Sequence, residues 1–451
     1  MSYKERLNKV IPGGAHTYSR GHDQFPANAP EILARGDGAY VWDDKGNKFL
    51  DYGMALRSVT LGYANTRVNE AAVAQISNGN NLTRASMVEL EAAECLVDLI
   101  PSADMVKFAK NGSNVTTAAA KVARSYTGKQ YICVPRQHPF FSFDDWFIGT
   151  TVIRRGIPAS HQQTTLVFDY GDIKSLEKLF DEYPDQIAGV MLEPATTVTP
   201  CSSQCSRELS YSPNCAACPN SGQSFLHQVQ KLCRANSALF ILDEMITGFR
   251  WQLEGAQSYY GVDPDLSTFG KGMANGFSVA ALVGRREIME VGSISTKGQE
   301  RTFLLSTTHG GEMCGLAAFL EAVSIYREEK VCEHLWDYGR KFKQGFDELI
   351  ERKGLRDFFS LEGPDICLNY VTRNGNGDIS PEFRTLVSQE FVNKGVMMPW
   401  IAISHAHGAR ELDITLDALE HVLEVYAQAL NGDVKEFLLG DPVQPVFRQY
   451  N

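Results

Sequence analysis

A single lysine, Lys271, stands between two glycines in the segment 265–277, and the apolar run 279–284 follows it. Glycine lets backbone and ligand approach each other closely, and apolar surroundings favour the neutral, nucleophilic form of an amine. A loop lysine between two strands is the simpler alternative for this stretch taken alone. The setting nevertheless indicates a reactive amine that could form a covalent bond with a carbonyl compound.

Asp243 is a second chemical candidate, because it follows the wholly apolar run 238–242. A carboxylate at the end of a buried strand is poorly solvated and needs a cationic partner. A protonated heteroaromatic nitrogen would serve, and a helix cap or a structural ion pair are the alternatives.

The turn 111–114, Asn-Gly-Ser-Asn, lies between an apolar strand and an Ala-rich helix. Backbone N–H groups and the positive end of that helix can hold a phosphate there, and Ser113 adds a hydroxyl. Many strand-to-helix turns use Gly and Ser for their geometry alone. Together with the lysine and the aspartate, however, the turn matches three needs of pyridoxal phosphate: an anchor, a partner for the pyridinium nitrogen and a Schiff-base amine.

The elements that must position these residues alternate between strands and helices. Continuous apolar strands separated by helices predict a mainly parallel sheet covered on both faces, which binds ligands beyond the carboxyl ends of its strands. The ends of the chain differ, since a hairpin with its turn at 44–47 precedes this region and long amphipathic helices follow it. The predicted strands are 105–109, 131–134, 187–192 and 238–242, and the predicted helices are 116–126, 315–329 and 412–430.

These patterns predict an α/β chain with a smaller α+β domain assembled from both chain ends. The expected boundaries are 1–60 for the N-terminal part of the small domain, 61–310 for the large cofactor-binding domain with a Cys-rich insertion at 200–222, 311–430 for the C-terminal part of the small domain, and 431–451 for a surface tail.

Composition excludes several classes of partner. The 451 residues carry a net charge of −11 and contain no basic run, which argues against nucleic acid and anionic membranes. No apolar run approaches the roughly 20 residues of a membrane helix, and the start of the chain lacks the apolar core of a signal peptide. We therefore expect a soluble, cytoplasmic protein.

Several runs of the chain, taken together, resemble the class III aminotransferases close to glutamate-1-semialdehyde aminomutase. The resemblance extends from about residue 8 to residue 430 and implies a fold-type I pyridoxal-phosphate-dependent transferase in which Lys271 carries the cofactor and Asp243 pairs with the ring nitrogen. The runs that carry it are 265–290 and 243–250, supported by 11–14, 38–43, 61–65 and 123–128.

The resemblance also implies further cofactor contacts. Met245 should pack against one face of the ring, and Gly112, Ser113 and Asn114 should hold the phosphate. Thr308 corresponds to a threonine that reaches the phosphate of the neighbouring subunit, which implies a homodimer with shared active sites.

Other positions match the family only in part. His138 matches a family histidine, but Gln137 stands where an aromatic residue that stacks on the cofactor is expected, and Phe140 or Phe141 could take its place. Glu193 matches a Glu-Pro pair that follows a strand, although the asparagine expected shortly afterwards is missing.

Two further features bear on the substrate. Arg20 matches an arginine that binds the substrate carboxylate in the aminomutase, with a surface ion pair as the alternative. The segment 145–150 resembles relatives found with surface-sugar biosynthesis enzymes rather than the mobile lid of the aminomutase.

The insertion at 200–222 is the largest departure from the family pattern. Its cysteines have the spacing C-x3-C-x9-C-x2-C, and four thiolates so close in sequence could surround a tetrahedral zinc or, as a second choice, an iron–sulfur cluster. A polar loop with incidental cysteines is the alternative to this structural metal site. The four residues are Cys201, Cys205, Cys215 and Cys218.

The resulting prediction is an aminotransferase that moves an amino group from glutamate, or a similar donor, to an aldehyde or keto-sugar-type acceptor. An aminomutase acting on glutamate-1-semialdehyde is one alternative, and a decarboxylase or racemase on the same scaffold is another. A non-catalytic binding protein of this fold would be expected to lack Lys271 or Asp243, and both are present.

Overall fold

The computed structural model describes residues 1–201, 224–295, 297–298 and 300–450. Residue contacts divide the chain into two compact units. Unit 1 comprises Met1–Asn65 and His334–Asn451, and unit 2 comprises Thr66–Glu333. Among the described residues, no helix is both long enough and apolar enough to cross a membrane.

Strands and helices alternate through the middle of the chain. The strands of the described part are β1 Leu33–Asp37, β2 Tyr40–Asp43, β3 Lys48–Asp51, β4 Met105–Ala109, β5 Tyr131–Pro135, β6 Thr165–Phe168, β7 Ile187–Leu192, β8 Leu239–Asp243, β9 Leu266–Phe269, β10 Ala280–Gly284, β11 Phe359–Glu362, β12 Asn369–Thr372 and β13 Val396–Met397. The helical segments are α1 Tyr3–Val10, α2 Met54–Arg57, α3 Thr66–Ser77, α4 Met87–Leu99, α5 Gly112–Thr127, α6 Asp145–Ile148, α7 Ala159–Gln162, α8 Ile173–Glu182, α9 Phe225–Ala235, α10 Ala256–Tyr260, α11 Arg286–Met289, α12 Met313–Glu328, α13 Val331–Arg352, α14 Pro381–Asn393 and α15 Ala409–Leu430.

Unit 2 is built around one seven-stranded sheet with the order β4-β10-β9-β8-β7-β5-β6. All neighbouring strands pair in parallel except β10, which is antiparallel to both β4 and β9. Every residue of β7, β8, β9 and β10 is buried, because helices cover the sheet, and β7 and β10 are continuously apolar while β9 buries Ser267 and Thr268 as well. The predicted, mainly parallel sheet is therefore confirmed, with β4 and β7 at the predicted bounds.

Unit 1 contains the four-stranded sheet β1-β2-β3-β13 and the hairpin β11-β12. The predicted N-terminal hairpin is present as β2 and β3, which pair antiparallel with Trp42 opposite Lys48. Strand β13, near the other end of the chain, pairs in parallel with β3. Both chain ends thus contribute to one unit.

Two segments lie differently from the sequence-based boundaries. Helix α12 belongs to unit 2, where it packs against α3, α4 and the turn that holds Lys271, although a boundary at residue 311 would separate it from them. The C-terminal segment after α15 is attached to unit 1, since Arg448 forms an ion pair with Asp23 at 2.8 Å and Leu439 donates its N–H to the Gln389 side chain at 2.8 Å.

Candidate active site

The predicted chemical residues of unit 2 converge at one edge of its sheet. Strand β4 is antiparallel to β10, which is antiparallel to β9, so β4 and β9 run in the same direction as β8, β7 and β5. The segments that follow these five strands therefore emerge on the same edge. They carry the predicted phosphate-binding turn (residues 111–114), Lys271, Asp243, Glu193 and His138.

Asp243 ends strand β8 and is only 2% exposed. Its Oδ1 accepts hydrogen bonds from the Met245 N–H and the Thr268 hydroxyl, each at 3.0 Å. Both bonds go to one oxygen, and Oδ2 accepts none within the described part of the chain. Burial raises the pKa of this carboxyl to about 6, although the Lys271 ammonium opposes the rise. A buried carboxylate whose second oxygen accepts no hydrogen bond is suited to a cationic partner.

Lys271 begins a short 3-10 helical turn, Lys271–Ala274, directly after strand β9. Its φ of 45° lies in the left-handed region, where a side chain with a β-carbon is strained, and Asn275 at the other end of the turn has the same φ. The residues between them are buried. Strain of this kind persists only where the surroundings determine the backbone, so the position of the Lys271 backbone is imposed by the fold.

Met245 is the contact that joins the lysine turn to the phosphate-binding turn. A β-carbon added at Gly270 would meet the Met245 Sδ at 2.7 Å, and one added at Gly112 would meet it at 3.0 Å. Both glycines are therefore required by close packing against one buried side chain. The glycines in the two turns thus have a common cause, the Met245 side chain, which neither turn reveals alone.

The phosphate-binding turn forms the start of α5. Asn111 caps the helix by accepting the Asn114 N–H at 3.0 Å, and the N–H groups of Gly112 and Ser113 donate to no acceptor in the described part of the chain. The Ser113 hydroxyl accepts the Phe143 N–H at 3.1 Å. Two free N–H groups at a helix N-terminus are suited to an anion, and the phosphate-binding role of the turn stays a prediction.

His138 and Glu193 are joined by a hydrogen bond. The His138 Nδ1 accepts the Glu193 N–H at 3.0 Å, and burial lowers the pKa of the imidazole to about 3. The ring is therefore neutral and carries its proton on Nε2. That Nε2 is buried and has no hydrogen-bond partner among the described residues. The pair places a neutral donor and an acidic residue at the ends of β5 and β7.

The three candidates for a residue that stacks on the cofactor, Gln137, Phe140 and Phe141, differ in exposure and in hydrogen bonding. The Gln137 amide is held at both ends, since Oε1 accepts the Tyr170 N–H at 2.8 Å and Nε2 donates to Asp169 at 3.0 Å. Phe141 is buried in the core of unit 2, whereas Phe140 is 47% exposed. Of the three, Phe140 is the aromatic side chain that remains open to a ligand.

Thr308 lies in the segment that leads into α12. It is exposed, and its carbonyl accepts a hydrogen bond from the Asn81 side chain at 3.1 Å. The hydroxyl of the preceding residue, Thr307, is buried and has no hydrogen-bond partner among the described residues. The segment is thus anchored through its backbone, which leaves the Thr308 hydroxyl for another contact.

Two supporting contacts of α12 were not predicted. The Tyr326 hydroxyl donates to the Gly272 carbonyl at 2.9 Å, directly beside Lys271. At the other end of the helix Glu312 accepts a hydrogen bond from Lys110, which precedes the phosphate-binding turn, at 2.5 Å. This bond lowers the pKa of the Glu312 carboxyl. One helix therefore contacts both turns of the site.

The other predicted site residues are Arg20 and the four cysteines. Arg20 belongs to unit 1, where it is exposed and lines a cavity of that unit. Cys205, Cys215 and Cys218 lie outside the described residues, and Cys201 is the last residue described before them. Among the described residues, no cluster of three or more His, Cys, Asp and Glu side chains could hold a metal.

The residues of unit 2 fit pyridoxal phosphate by their chemistry. The free N–H groups at the start of α5 would hold the phosphate, and the free oxygen of Asp243 would face the ring nitrogen as a carboxylate. A pyridinium cation there would also offset the burial that raises the pKa of Asp243. Lys271 supplies the amine for covalent attachment.

Comparison with known proteins agrees with this chemistry. A 3-aminobutyryl-CoA aminotransferase from Cloacimonas acidaminovorans is 29% identical over 94% of this chain and 96% of its own length. A glutamate-1-semialdehyde 2,1-aminomutase from Alkaliphilus metalliredigens is 28% identical over 92% of this chain and 93% of its own length.

Solved structures share the fold. The PLP internal aldimine form of the Sphingopyxis sp. MTA144 FumI protein superimposes with a TM-score of 0.82 at 24% identity, over 97% of this chain and 99% of that chain. An omega-transaminase from Sphaerobacter thermophilus gives a TM-score of 0.77 at 23% identity, over 94% of this chain and 97% of that chain.

The sequence profile of the family described as aminotransferase class-III matches residues 18–198 and 218–363. These ranges include all the residues that converge at the sheet edge of unit 2. The chain therefore belongs to the class-III aminotransferases and is a pyridoxal-phosphate-dependent enzyme of amino-group transfer.

Proposed function

We propose that this enzyme moves an amino group from glutamate, or a similar donor, to a carbonyl acceptor of the aldehyde or keto-sugar type. The observation that carries the proposal is the pairing of a strained, fold-imposed Lys271 with a buried Asp243 at the sheet edge. The sugar acceptor is supported only by the resemblance of segment 145–150 to enzymes of surface-sugar biosynthesis.

Each of these two residues has a distinct task. Bound pyridoxal phosphate supplies an aldehyde that takes up the donor's amino group and a ring that accepts electrons from the substrate carbon. Lys271, as a neutral amine, would move the proton at that carbon as general acid and base. Asp243 keeps the ring nitrogen protonated, because its carboxylate is stabilised in a buried site only by a cation.

Further residues would hold the cofactor. Gly112, Ser113 and Asn114 would bind the phosphate at the start of α5, and Met245 would pack against one face of the ring. We propose Phe140 as the aromatic residue on the other face of the ring, because its side chain is exposed. Phe143, three residues later, donates its N–H to the Ser113 hydroxyl, which ties this segment to the predicted phosphate-binding turn. His138 and Glu193 are the remaining proposed cofactor contacts, and the Glu193 N–H donates a hydrogen bond to the His138 Nδ1.

We propose that the enzyme is a homodimer in which Thr308 reaches the cofactor of the neighbouring subunit. The anchoring of this segment through the Thr308 carbonyl, with the side chain exposed, supports such a role. The expected location is the cytoplasm, because Cys133, Cys233 and Cys332 are buried free thiols of the kind that reducing compartments maintain.

The cysteine spacing at 201–218 supports a structural zinc, with an iron–sulfur cluster as the second choice. Gently purified, reduced protein should contain about one zinc per chain. Its removal should leave the cofactor bound, because Lys271 and Asp243 lie on the sheet of unit 2. Elemental analysis that finds neither zinc nor iron would return these cysteines to a plain polar loop.

The decisive experiment mixes the cofactor-loaded enzyme with glutamate and follows both the visible absorption and the 2-oxoglutarate formed. We expect one 2-oxoglutarate per active site, and we expect a suitable carbonyl compound to restore the initial spectrum. A panel of keto sugars, sugar aldehydes and amino-acid semialdehydes then tests the acceptor. Conversion of glutamate-1-semialdehyde without any donor would favour the aminomutase, and loss of carbon dioxide would favour a decarboxylase. Absence of a spectral change with every amine would refute amino-group transfer.

A further inference from the structure

The first turns of α5 are joined to the aromatic segment 140–147, which follows β5. Ser113, Thr116 and Thr117 lie on one face of the helix, since residues three and four positions apart are neighbours there. Each of their three hydroxyls forms a hydrogen bond with the segment. Ser113 and Thr116 are buried, and Thr117 is half-buried. The segment is therefore fixed to the helix by hydroxyl groups close to the predicted phosphate-binding turn.

Thr117 forms the most hydrogen bonds of the three. Its Oγ1 donates to the Asp144 carboxylate at 2.6 Å and accepts the Trp146 indole N–H at 2.8 Å. The Ser142 Oγ lies 3.0 Å from the same oxygen. Because the single proton of Thr117 is committed to a carboxylate, Ser142 must be the donor in this third bond. One donated and two accepted bonds exhaust the capacity of the Thr117 hydroxyl, so each group around it has a defined role.

The network continues through the backbone of the segment to the Ser113 hydroxyl. With its proton on Thr117, the Ser142 oxygen accepts the Asp144 N–H at 3.1 Å. The Phe143 N–H, one residue earlier, donates to the Ser113 Oγ at 3.1 Å. Ser113 is only 4% exposed, and its own proton has no acceptor among the described residues. The backbone that Thr117 holds on both sides of Phe143 thus supplies the hydrogen bond that Ser113 accepts.

Thr116 is a separate attachment of the same segment. Its Oγ1 donates to the Phe141 carbonyl at 2.7 Å, and Phe141 is packed in the core of unit 2. Neither contact involves the Thr117 hydroxyl. Loss of that hydroxyl should therefore loosen the residues around Phe143 while the segment stays attached to α5.

We propose that Thr117 is a positioning residue for cofactor binding, which holds the Phe143 N–H on Ser113 and so leaves the serine proton free for a phosphate oxygen. A serine hydroxyl rotates, and an accepted N–H excludes the orientations in which its proton would face that donor. Ser113 then adds an O–H donor to the free N–H groups at the start of α5. This inference rests on the proposed function, because it takes the turn 111–114 as the phosphate site.

The test compares the binding of pyridoxal phosphate and of pyridoxal to the full-length apoprotein by equilibrium dialysis. Both ligands have the same ring and aldehyde, so the ratio of their affinities reports the phosphate contacts alone. Thr117→Val keeps the shape of the side chain and removes the hydroxyl. It should lower this ratio about tenfold, since hydrogen bonds to charged groups are among the strongest. Without ligand, hydrogen exchange of the Phe143 amide should become faster by about tenfold in the same variant.

A double-mutant cycle shows whether Thr117 acts through Ser113. Ser113→Ala should lower the ratio at least as much as Thr117→Val, and the double variant should fall no more than about twofold below Ser113→Ala. Additive losses would show that Thr117 acts by another route and would refute the proposal. Thr117→Ser keeps the hydroxyl and should retain the wild-type ratio within about twofold, and a loss as large as that of Thr117→Val would count against the hydroxyl.

Thr127→Val is the matched control. Thr127 lies in the last turn of the same helix, is also half-buried, and donates its hydroxyl to the Ala123 carbonyl at 2.7 Å. This variant should keep the full preference for the phosphate ligand. Ser142→Ala removes another hydroxyl of the network with a smaller change in shape and should also lower the ratio. An unchanged ratio in both Thr117→Val and Ser142→Ala, or an equal fall in Thr127→Val, would overturn the proposal.

The wild-type measurement distinguishes this inference from the proposed function. If the wild type binds pyridoxal phosphate no more tightly than pyridoxal, the phosphate site of the proposed function itself fails. If the wild type prefers pyridoxal phosphate and Thr117→Val keeps the whole preference, only the positioning role of Thr117 fails.

Discussion

Replacing Tyr326 by phenylalanine would remove one hydroxyl that holds the lysine turn and keep the aromatic ring. The ring packs near Phe249 with a centroid separation of 6.1 Å, and the hydroxyl donates to the Gly272 carbonyl at 2.9 Å. A buried hydrogen bond contributes about 1–2 kcal/mol, and left-handed backbone at Lys271 costs about 1–2 kcal/mol. The two magnitudes are comparable, so loss of the hydroxyl should let the turn relax.

We therefore expect Tyr326→Phe to slow covalent attachment of pyridoxal phosphate to Lys271 about 5- to 30-fold, which corresponds to about 1–2 kcal/mol. The assay mixes apoprotein with pyridoxal phosphate, traps the adduct with borohydride at intervals and quantifies the Lys271 peptide by mass spectrometry. Non-covalent affinity for pyridoxamine phosphate should change less than threefold, since the phosphate-binding turn keeps its own contacts.

The matched control is Tyr426→Phe in unit 1. Tyr426 is a buried tyrosine whose hydroxyl also donates to backbone carbonyls, those of Arg373 at 2.6 Å and Phe358 at 3.0 Å. It should lose a similar amount of stability and attach the cofactor at the normal rate. If Tyr326→Phe attaches the cofactor as fast as the wild type, or loses attachment rate and pyridoxamine phosphate affinity in equal measure, Tyr326 does not position Lys271.

Three further substitutions test the site. Lys271→Ala should abolish turnover and retain pyridoxamine phosphate in equilibrium dialysis, and any remaining 2-oxoglutarate formation would refute its catalytic role. Asp243→Asn should lower kcat by about 10²–10³. Because burial raises the pKa of Asp243 from 3.8 to about 6 in the folded state, its charge should lower apoprotein stability by up to about 3 kcal/mol as pH rises from 4 to 6. Denaturation of the Asp243→Asn apoprotein should no longer show this fall in stability between pH 4 and 6, and an unchanged fall would contradict the assignment. In mixed dimers of Lys271→Ala with Thr308→Ala subunits, one site is intact and about half of the activity should survive if Thr308 serves the neighbouring subunit, whereas only the activity of a Thr308→Ala site should remain if it serves its own.

The sequence was sufficient to predict the residues whose role depends on local context. Asp243 ends strand β8, which apolar continuity predicted because a sheet covered on both faces requires it. Lys271 follows the short strand β9, which is only half apolar, and the glycines on both sides identified this lysine. Gly112 and Ser113 were identifiable because a helix N-terminus is built from consecutive residues. In each case the physical reason lies within about five residues of the side chain concerned.

The residues that sequence reasoning missed depend on contacts between distant segments. Tyr326 reaches Gly272 over a separation of 54 residues, and nothing in the pattern of α12 distinguishes this tyrosine from an ordinary core residue. The Gln137 amide forms hydrogen bonds with Asp169 and Tyr170, which follow strand β6. Because the sequence did not predict β6, it could not show that these bonds hold the amide and bear on its role as a stacking residue. Hydrogen-bond partners of this kind follow from the topology and not from local propensity.

The turn Met54–Arg57 shows most clearly where local rules fail. Met, Ala, Leu and Arg are among the strongest formers of right-handed helix, yet all four residues have left-handed φ. The reversal is imposed from outside the turn, by Asp51 and Tyr63 on its N–H groups and by the Trp400 indole, which donates to the Gly53 carbonyl at 2.9 Å. Conflict between local preference and tertiary structure is expected where function constrains the backbone. Lys271 and Met54–Arg57 therefore carry the same kind of signal, because in both segments the tertiary structure, and not the local preference of the residues, sets the backbone.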